Sequence, residues 1–125
     1  MNKIRIVVAL IEHNDKVLIT QLSSNGSWEL PGGIVKREEN EKEVIKREIY
    51  NNMHISVKCD YEMCRKTYIE SGKEVELIMY HCSYLAGEVQ LHNYSNHIYV
   101  DKTILHKYKF SPMDIPLINY ITGNI

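Results

Sequence analysis

Trp28-Glu29-Leu30-Pro31-Gly32-Gly33, then five residues to Glu39, then seven more to Arg47-Glu48-Ile49-Tyr50-Asn51-Asn52-Met53-His54-Ile55, is the stretch that decides the fold. Pro31-Gly32-Gly33 marks a turn in which two successive residues lack side chains, so backbone can approach a ligand closely and present a carbonyl to metal. That turn leads into a helix expected over Glu39 to Met53, whose N-terminus favours phosphate. Val44, Ile45 and Ile49 form its apolar stripe, with Lys42, Lys46 and Tyr50 elsewhere on its surface. Glu48, Asn51 and Asn52 stand at i, i+3 and i+4 and share one face, about one turn deep.

The spacing resembles the Nudix box, G-x5-E-x7-R-E-U-x-E-E-x-G-U with U a bulky aliphatic, and the run before it is similar to the W-E-x-P-G-G approach of MutT-type members of that family. The resemblance implies an α/β fold, a Nudix-type α/β/α sandwich with a mixed β-sheet, in a single domain over residues 1–125. It also implies a metal-dependent hydrolase of nucleoside di- or triphosphates or related nucleotide derivatives. By this likeness Glu48 is catalytic and a metal ligand, with Gly33 and Asn52 as further ligands, and Gly32 and Gly33 lie against substrate. Glu39 and Arg47 become structural, a helix-orienting ion pair.

Three carboxylates on one helix face would offer oxygens to a hard cation that bridges nucleotide phosphates and activates water. Here Asn51 and Asn52 replace the E-E pair and His54 replaces the glycine of the box. An amide oxygen still ligates, but adds no charge, so Mg²⁺ or Mn²⁺ is expected to bind weakly and turnover to be impaired. Carboxylates near a helix C-terminus face the negative end of the macrodipole and cost roughly 0.3 to 1 kcal/mol each. The two asparagines therefore read either as a helix end relaxed toward stability or as a site rebuilt for another ligand. The corresponding functional alternative is a catalytically inactive Nudix-fold protein that binds a nucleotide or a partner. Glu41, two turns before Glu48, is the acid nearest to compensating. The expected loop from Leu91 to His97 holds no carboxylate, and its candidate bases or metal ligands are His92 and His97.

The remaining sequence fits that frame. A chain of 125 residues, 44% hydrophobic and 25% charged, supports one core. A formal charge of −1 provides no global field for a nucleic acid polymer, which leaves a small-molecule nucleotide as the partner. Met1 to Leu10 is too interrupted by Lys3 and Arg5 to be a signal or a membrane span, so the expected location is cytoplasmic, as a monomer or homodimer. Cys59, Cys64 and Cys82 suit reduced, buried thiols better than a zinc site with His81.

Strands are expected at Ile4 to Glu12 and Lys16 to Gln21 around a His13-Asn14-Asp15 turn, at Val57 to Tyr68 and Glu74 to Leu85 around Ser71-Gly72, and at Ile98 to Asp101. A last helix is expected from Asp114 to Ile121. The segment Phe110 to Ile118 looks like the C-terminal segment of MutT-type proteins, and by that comparison Asp114 is substrate-binding, reading a base edge such as cytosine N4. Asp114 also suits helix N-capping, with Pro116 in the first turn, and the two roles are compatible. Tyr68, Tyr80 and Tyr94 are weak candidates for base stacking.

Overall fold

The computed structural model describes residues 3–123, and within them seven strands form one sheet with a helix on each face. The strands are β1 (Lys3–His13), β2 (Lys16–Leu22), β3 (Trp28–Glu29), β4 (Gly32–Val35), β5 (Ser56–Glu70), β6 (Lys73–Ala86) and β7 (Tyr94–Asp101). The helices are α1 (Glu41–Met53) and α2 (Ile115–Thr122), with short 3₁₀ turns over Lys102–Lys107 and Pro112–Asp114. The main path runs β3-β2-β1-β6-β5, with β4 also pairing β1 and β7 pairing β2. Only β1 and β6 run parallel, in register from Lys3↔Glu74 to Glu12↔Ser83, so the sheet is mixed.

Alternation along the strands builds the two layers. Val7, Ala9 and Ile11 of β1 with Ile78, Tyr80 and Cys82 of β6 face α1, which returns Val44, Ile45, Ile49 and Met53. Val8, Leu10, Leu77 and Met79 face the other way, onto Leu105, Phe110, Leu117 and Ile118. Burying a stripe from each helix on opposite faces is what makes the sandwich. No helix among the described residues is long and apolar enough to cross a membrane.

Three expectations need correction. Helix α1 begins at Glu41, because Asn40 is its N-cap and accepts from the Glu43 N–H at 3.2 Å; Glu39 lies outside the helix. β7 begins at Tyr94 rather than Ile98, since the polar residues before Ile98 pair with the end of β2, His97 opposite Thr20. Asp114 precedes α2 but makes no side-chain capping bond, for a reason that lies in the site.

Candidate active site

β4 and α1 meet at Gly33. A Cβ there would lie 2.5 Å from Glu48 Cγ and 2.9 Å from Cδ, so the Glu48 side chain occupies the space that a side chain at 33 would need. At Gly32 the obstruction is backbone, with the Val7 carbonyl oxygen 2.0 Å from the position of a Cβ. The double glycine thus lets β4 press on β1 and lets Glu48 lie against the strand. Glu48 is 28% exposed, and its Oε1 is 3.6 Å from Arg47 Nη2. The main partner of Arg47 is Glu39, which also accepts from the Lys36 N–H at 2.8 Å. Those bonds, Arg47 first, hold the Glu39 carboxyl below the usual range. Glu39 and Arg47 therefore clamp the loop before α1 to the middle of that helix.

The asparagines sit differently. Asn52 Oδ1 accepts from Asn93 Nδ2 at 3.3 Å, and the backbone carbonyls of Asn52 and Met53 accept from the N–H groups of His92 and Gln90 at 2.8 and 2.9 Å. The chain from 90 to 93 is thereby zipped to the end of α1, satisfying carbonyls that a helix terminus leaves open. For Asn52 to ligate a metal through its oxygen, it would give up the Asn93 bond. Asn51 is exposed. His54 takes the left-handed conformation, φ 59°, that glycine favours at this position, and its ring stacks between Tyr50 and His92, with centroids 5.5 and 5.0 Å away. His97 lies in β7.

Glu41 cannot supply the missing charge. It accepts from Arg5 Nη1 at 3.0 Å, Arg65 Nη2 at 2.9 Å and Tyr80 Oη at 2.8 Å. Burial pushes its carboxyl up, but the bonds from Arg65 and Tyr80 outweigh that and hold it low. Arg65 also bonds Glu62 and Glu76, so this network knits β1, β5 and β6 to the start of α1. Among the described residues no group of three or more His, Cys, Asp or Glu side chains is arranged to hold a metal.

The far side of Gly33 opens on a cleft of about 200 Å³, lined by Ile6, Val8, Glu29, Leu30, Gly32, Gly33, Ile34, Met113 and Asp114. Asp114 is 3% exposed and its Oδ2 accepts from the Leu30 N–H at 3.0 Å. That bond to the β3–β4 turn, 84 positions earlier in the chain, takes the side chain away from its own helix, which is why it does not cap. Burial pushes the Asp114 carboxyl up to about 7; the Leu30 bond opposes this and the charge of Glu29 adds to it. Glu29 is also raised by burial, against a hydrogen bond from Tyr94. Burial thus disfavours the ionised form of both carboxyl groups that line this cleft. Glu29 was legible only as part of the Trp28–Gly33 motif; its hydrogen bond from Tyr94 depends on β7, which delivers that tyrosine.

Met113 also lines a larger cleft of about 450 Å³ between residues 66–70 of β5 and Pro112 and Pro116. Of the three candidate stacking tyrosines only Tyr68 lines it, its hydroxyl buried without a hydrogen-bond partner. Tyr80 is committed to Glu41, and Tyr94 is buried beside Glu29.

No family model matches the chain. It is 26% identical over 122 residues to the CTP pyrophosphohydrolase of Escherichia coli strain K12, covering 94% of this chain and 90% of that protein. The solution structure of the E. coli ORF135 protein superposes with a TM-score of 0.90 at 25% identity, covering 98% of this chain and 91% of the other. The solution structure of MutT, a Nudix hydrolase, from methicillin-resistant Staphylococcus aureus 252 gives a TM-score of 0.77 at 28% identity over the whole of both chains.

Proposed function

Starting from a chain that has the fold of the MutT-type Nudix hydrolases and resembles them in sequence, we propose that it is a pyrophosphohydrolase of nucleoside triphosphates with a preference for cytosine, slow for its class. The observation that carries this reading is the position of Gly33. One side of it touches Glu48, and the other lines the cleft that holds Glu29 and Asp114. A nucleotide with its base on Asp114 has its phosphates run out past Gly32 and Gly33 toward Glu48.

The chemistry of the cleft suits cytosine. A neutral carboxylic acid donates through its O–H and accepts through its carbonyl, matching N3 and the N4 amine of that base. An ionised carboxylate only accepts, so it would suit an edge that presents two donors. Burial keeps Asp114 protonated to about pH 7, which favours the first arrangement. The similarity to an enzyme named for CTP points the same way.

At the phosphate end the donor set is one carboxylate, Glu48, beside the glycine backbone, with Asn52 available only if Asn93 releases it. Such a set fits Mg²⁺ or Mn²⁺ arriving with the phosphates, since Mg²⁺ is commonly held by one or two carboxylates plus substrate oxygens. A bound ion would neutralise phosphate charge and lower the pKa of an attacking water. Glu48 would hold that assembly against Gly33, and Arg47, locked by Glu39, would keep Glu48 oriented. With no second carboxylate to take the proton from water, we expect turnover ~10²- to 10⁴-fold below that of a site with its full acid set.

A second reading, a nucleotide binder with no turnover, draws support from the Asn52–Asn93 pair, which occupies the amide oxygen proposed to assist Glu48. Pyrophosphate release from a panel of nucleoside triphosphates with Mg²⁺ or Mn²⁺ separates the two. Release that is fastest from CTP and lost in Glu48→Gln supports the hydrolase. If no substrate yields product while CTP still raises the melting temperature, the binder is correct.

A further inference from the structure

Cys59 of β5 and Cys82 of β6 are direct cross-strand partners, with their sulfurs 3.7 Å apart. Both are buried beneath α1, Cys82 fully and Cys59 with 8% exposure. Directly opposed residues carry their Cβ atoms about 4.5–5.5 Å apart, and a disulfide needs about 3.5–4.5 Å. Bonding would therefore bring the side chains together by about 1 Å and leave the strand pairing in place.

The two thiols are chemically unequal. The Cys82 S–H donates to Cys59 Sγ, and this, against burial and with help from Lys46 and Lys42, draws the Cys59 thiol below its ordinary range. The same contact, together with burial, pushes Cys82 up. Cys59 is thus the sulfur prepared to react as thiolate, with Cys82 held beside it as the resolving thiol. Cys64, further along β5, faces Met79 rather than a cysteine, and burial pushes its thiol up. It serves as the internal control.

We propose that Cys59 and Cys82 form a reversible disulfide when the protein meets a peroxide. The Cys59 thiolate attacks one oxygen of hydrogen peroxide, the O–O bond breaks, and the departing hydroxide takes a proton to become water, leaving Cys59 as a sulfenic acid. The Cys82 sulfur then attacks Cys59 Sγ; the S–O bond breaks and the hydroxide leaves as water with the Cys82 proton. In sum, two thiols and one peroxide give one disulfide and two waters, with sulfur oxidised and peroxide reduced. The reduced Cys59 S–H donates to the Lys42 carbonyl in the first turn of α1 at 3.7 Å, so oxidation removes one tie between β5 and the helix that carries Glu48.

The test treats the full chain with hydrogen peroxide at neutral pH, counts thiols and maps peptides without reduction. We expect two of the three thiols to disappear, a peptide joining Cys59 to Cys82, and recovery of all three with dithiothreitol. Cys64→Ser is expected to link as the wild type does. Cys82→Ala, which also removes the hydrogen bond that lowers the Cys59 thiol, is expected to react more slowly and to stop at Cys59 sulfenic acid, trapped by dimedone. Retention of all three thiols, or consumption of Cys64 ahead of Cys59, overturns the proposal, and the wild-type map decides even if Cys82→Ala fails to fold.

Discussion

Glu48 and Asp114 stand on opposite sides of Gly33, Glu48 against the glycine and Asp114 in the cleft beyond it, and are supported in opposite ways. At the outer end Glu48 is partly exposed, and the two positions sharing its helix face are amides. On the cleft side Asp114 is buried, with the half-buried Glu29 lining the same cleft. Acid is scarce where the proposed cation would be held and more plentiful where the proposed base edge would be read. On the proposed reading, recognition and reaction would draw on separate residues joined through Gly33, so one could weaken while the other stays intact.

The largest way to break the comparison is at its inner end. The folded-state pKa of Asp114 is raised from 3.8 to about 7, so the native state keeps a proton that the unfolded chain releases between those values. Its stabilising contribution is complete below about pH 4 and is lost as pH rises through about 7. Asp114→Asn keeps an acceptor for the Leu30 N–H without the ionisation, so it should gain on the wild type as pH rises, to an upper bound of about 4 kcal/mol above pH 7. Urea unfolding at pH 5 and pH 8 measures this. Turnover of CTP should fall above pH 7 in the wild type and flatten in the variant, which keeps a donor and an acceptor. A pH-independent difference in stability would mean that Asp114 is ionised throughout.

Next in size is the joint. Gly33→Ala would place a methyl carbon 2.5 Å from Glu48 Cγ, so Glu48 must leave the strand. We expect a stability loss of about 1–2 kcal/mol, within the range for overpacking. Any Glu48-dependent turnover should vanish, while the effect of CTP on the melting temperature persists. Loss of both together would show that the two sides of Gly33 are not separable.

Much of this arrangement is visible in the sequence, and the rest is long-range. Val44, Ile45 and Ile49 announce the buried side of α1, and the Glu39–Arg47 pair follows from spacing, because eight residues of loop and helix hold all that it needs. The role of Asp114 does not follow, since its local context of Ile-Pro-Leu favours a cap and only the distant Leu30 N–H draws it inward. Glu41 looks available on the helix surface until Arg5 of β1 and Arg65 of β5 arrive to pair with it. Half-buried Glu29 gains a hydrogen bond from Tyr94, in a segment whose polar sequence reads as loop until it is paired with β2. In each case a local pattern assigned the residue one partner, and the sheet supplied another.

Restoring the outer end should be a smaller effect. Asn51→Glu with Asn52→Glu places two negative charges in the last turn of α1 and breaks the Asn93 bond. Without metal this should cost about 1 kcal/mol in total, from dipole and like-charge terms of roughly 0.3–1 kcal/mol each. With Mn²⁺ the sign should reverse, because the added carboxylates share the ion with Glu48. Calorimetric titration is expected to show at least ~10-fold tighter Mn²⁺ binding than in the wild type, equivalent to about 1.4 kcal/mol. Unchanged affinity would mean that these positions do not face the same ion as Glu48.

The smallest expected effect concerns His54, which holds a left-handed conformation that costs a residue with a Cβ roughly 1 kcal/mol. Glycine removes that cost but also removes the ring stacked between Tyr50 and His92. Glycine further raises the entropy of the unfolded chain, so His54→Gly should change stability by no more than about 0.5 kcal/mol in either direction. A loss above about 1 kcal/mol would show the three-ring stack to be the main fastening of the chain from Gln90 to Asn93 onto the end of α1. In that case the hydrogen bonds from Gln90, His92 and Asn93 follow from the stack, and the end of α1 is shaped by aromatic packing instead of by the Asn52–Asn93 amide pair.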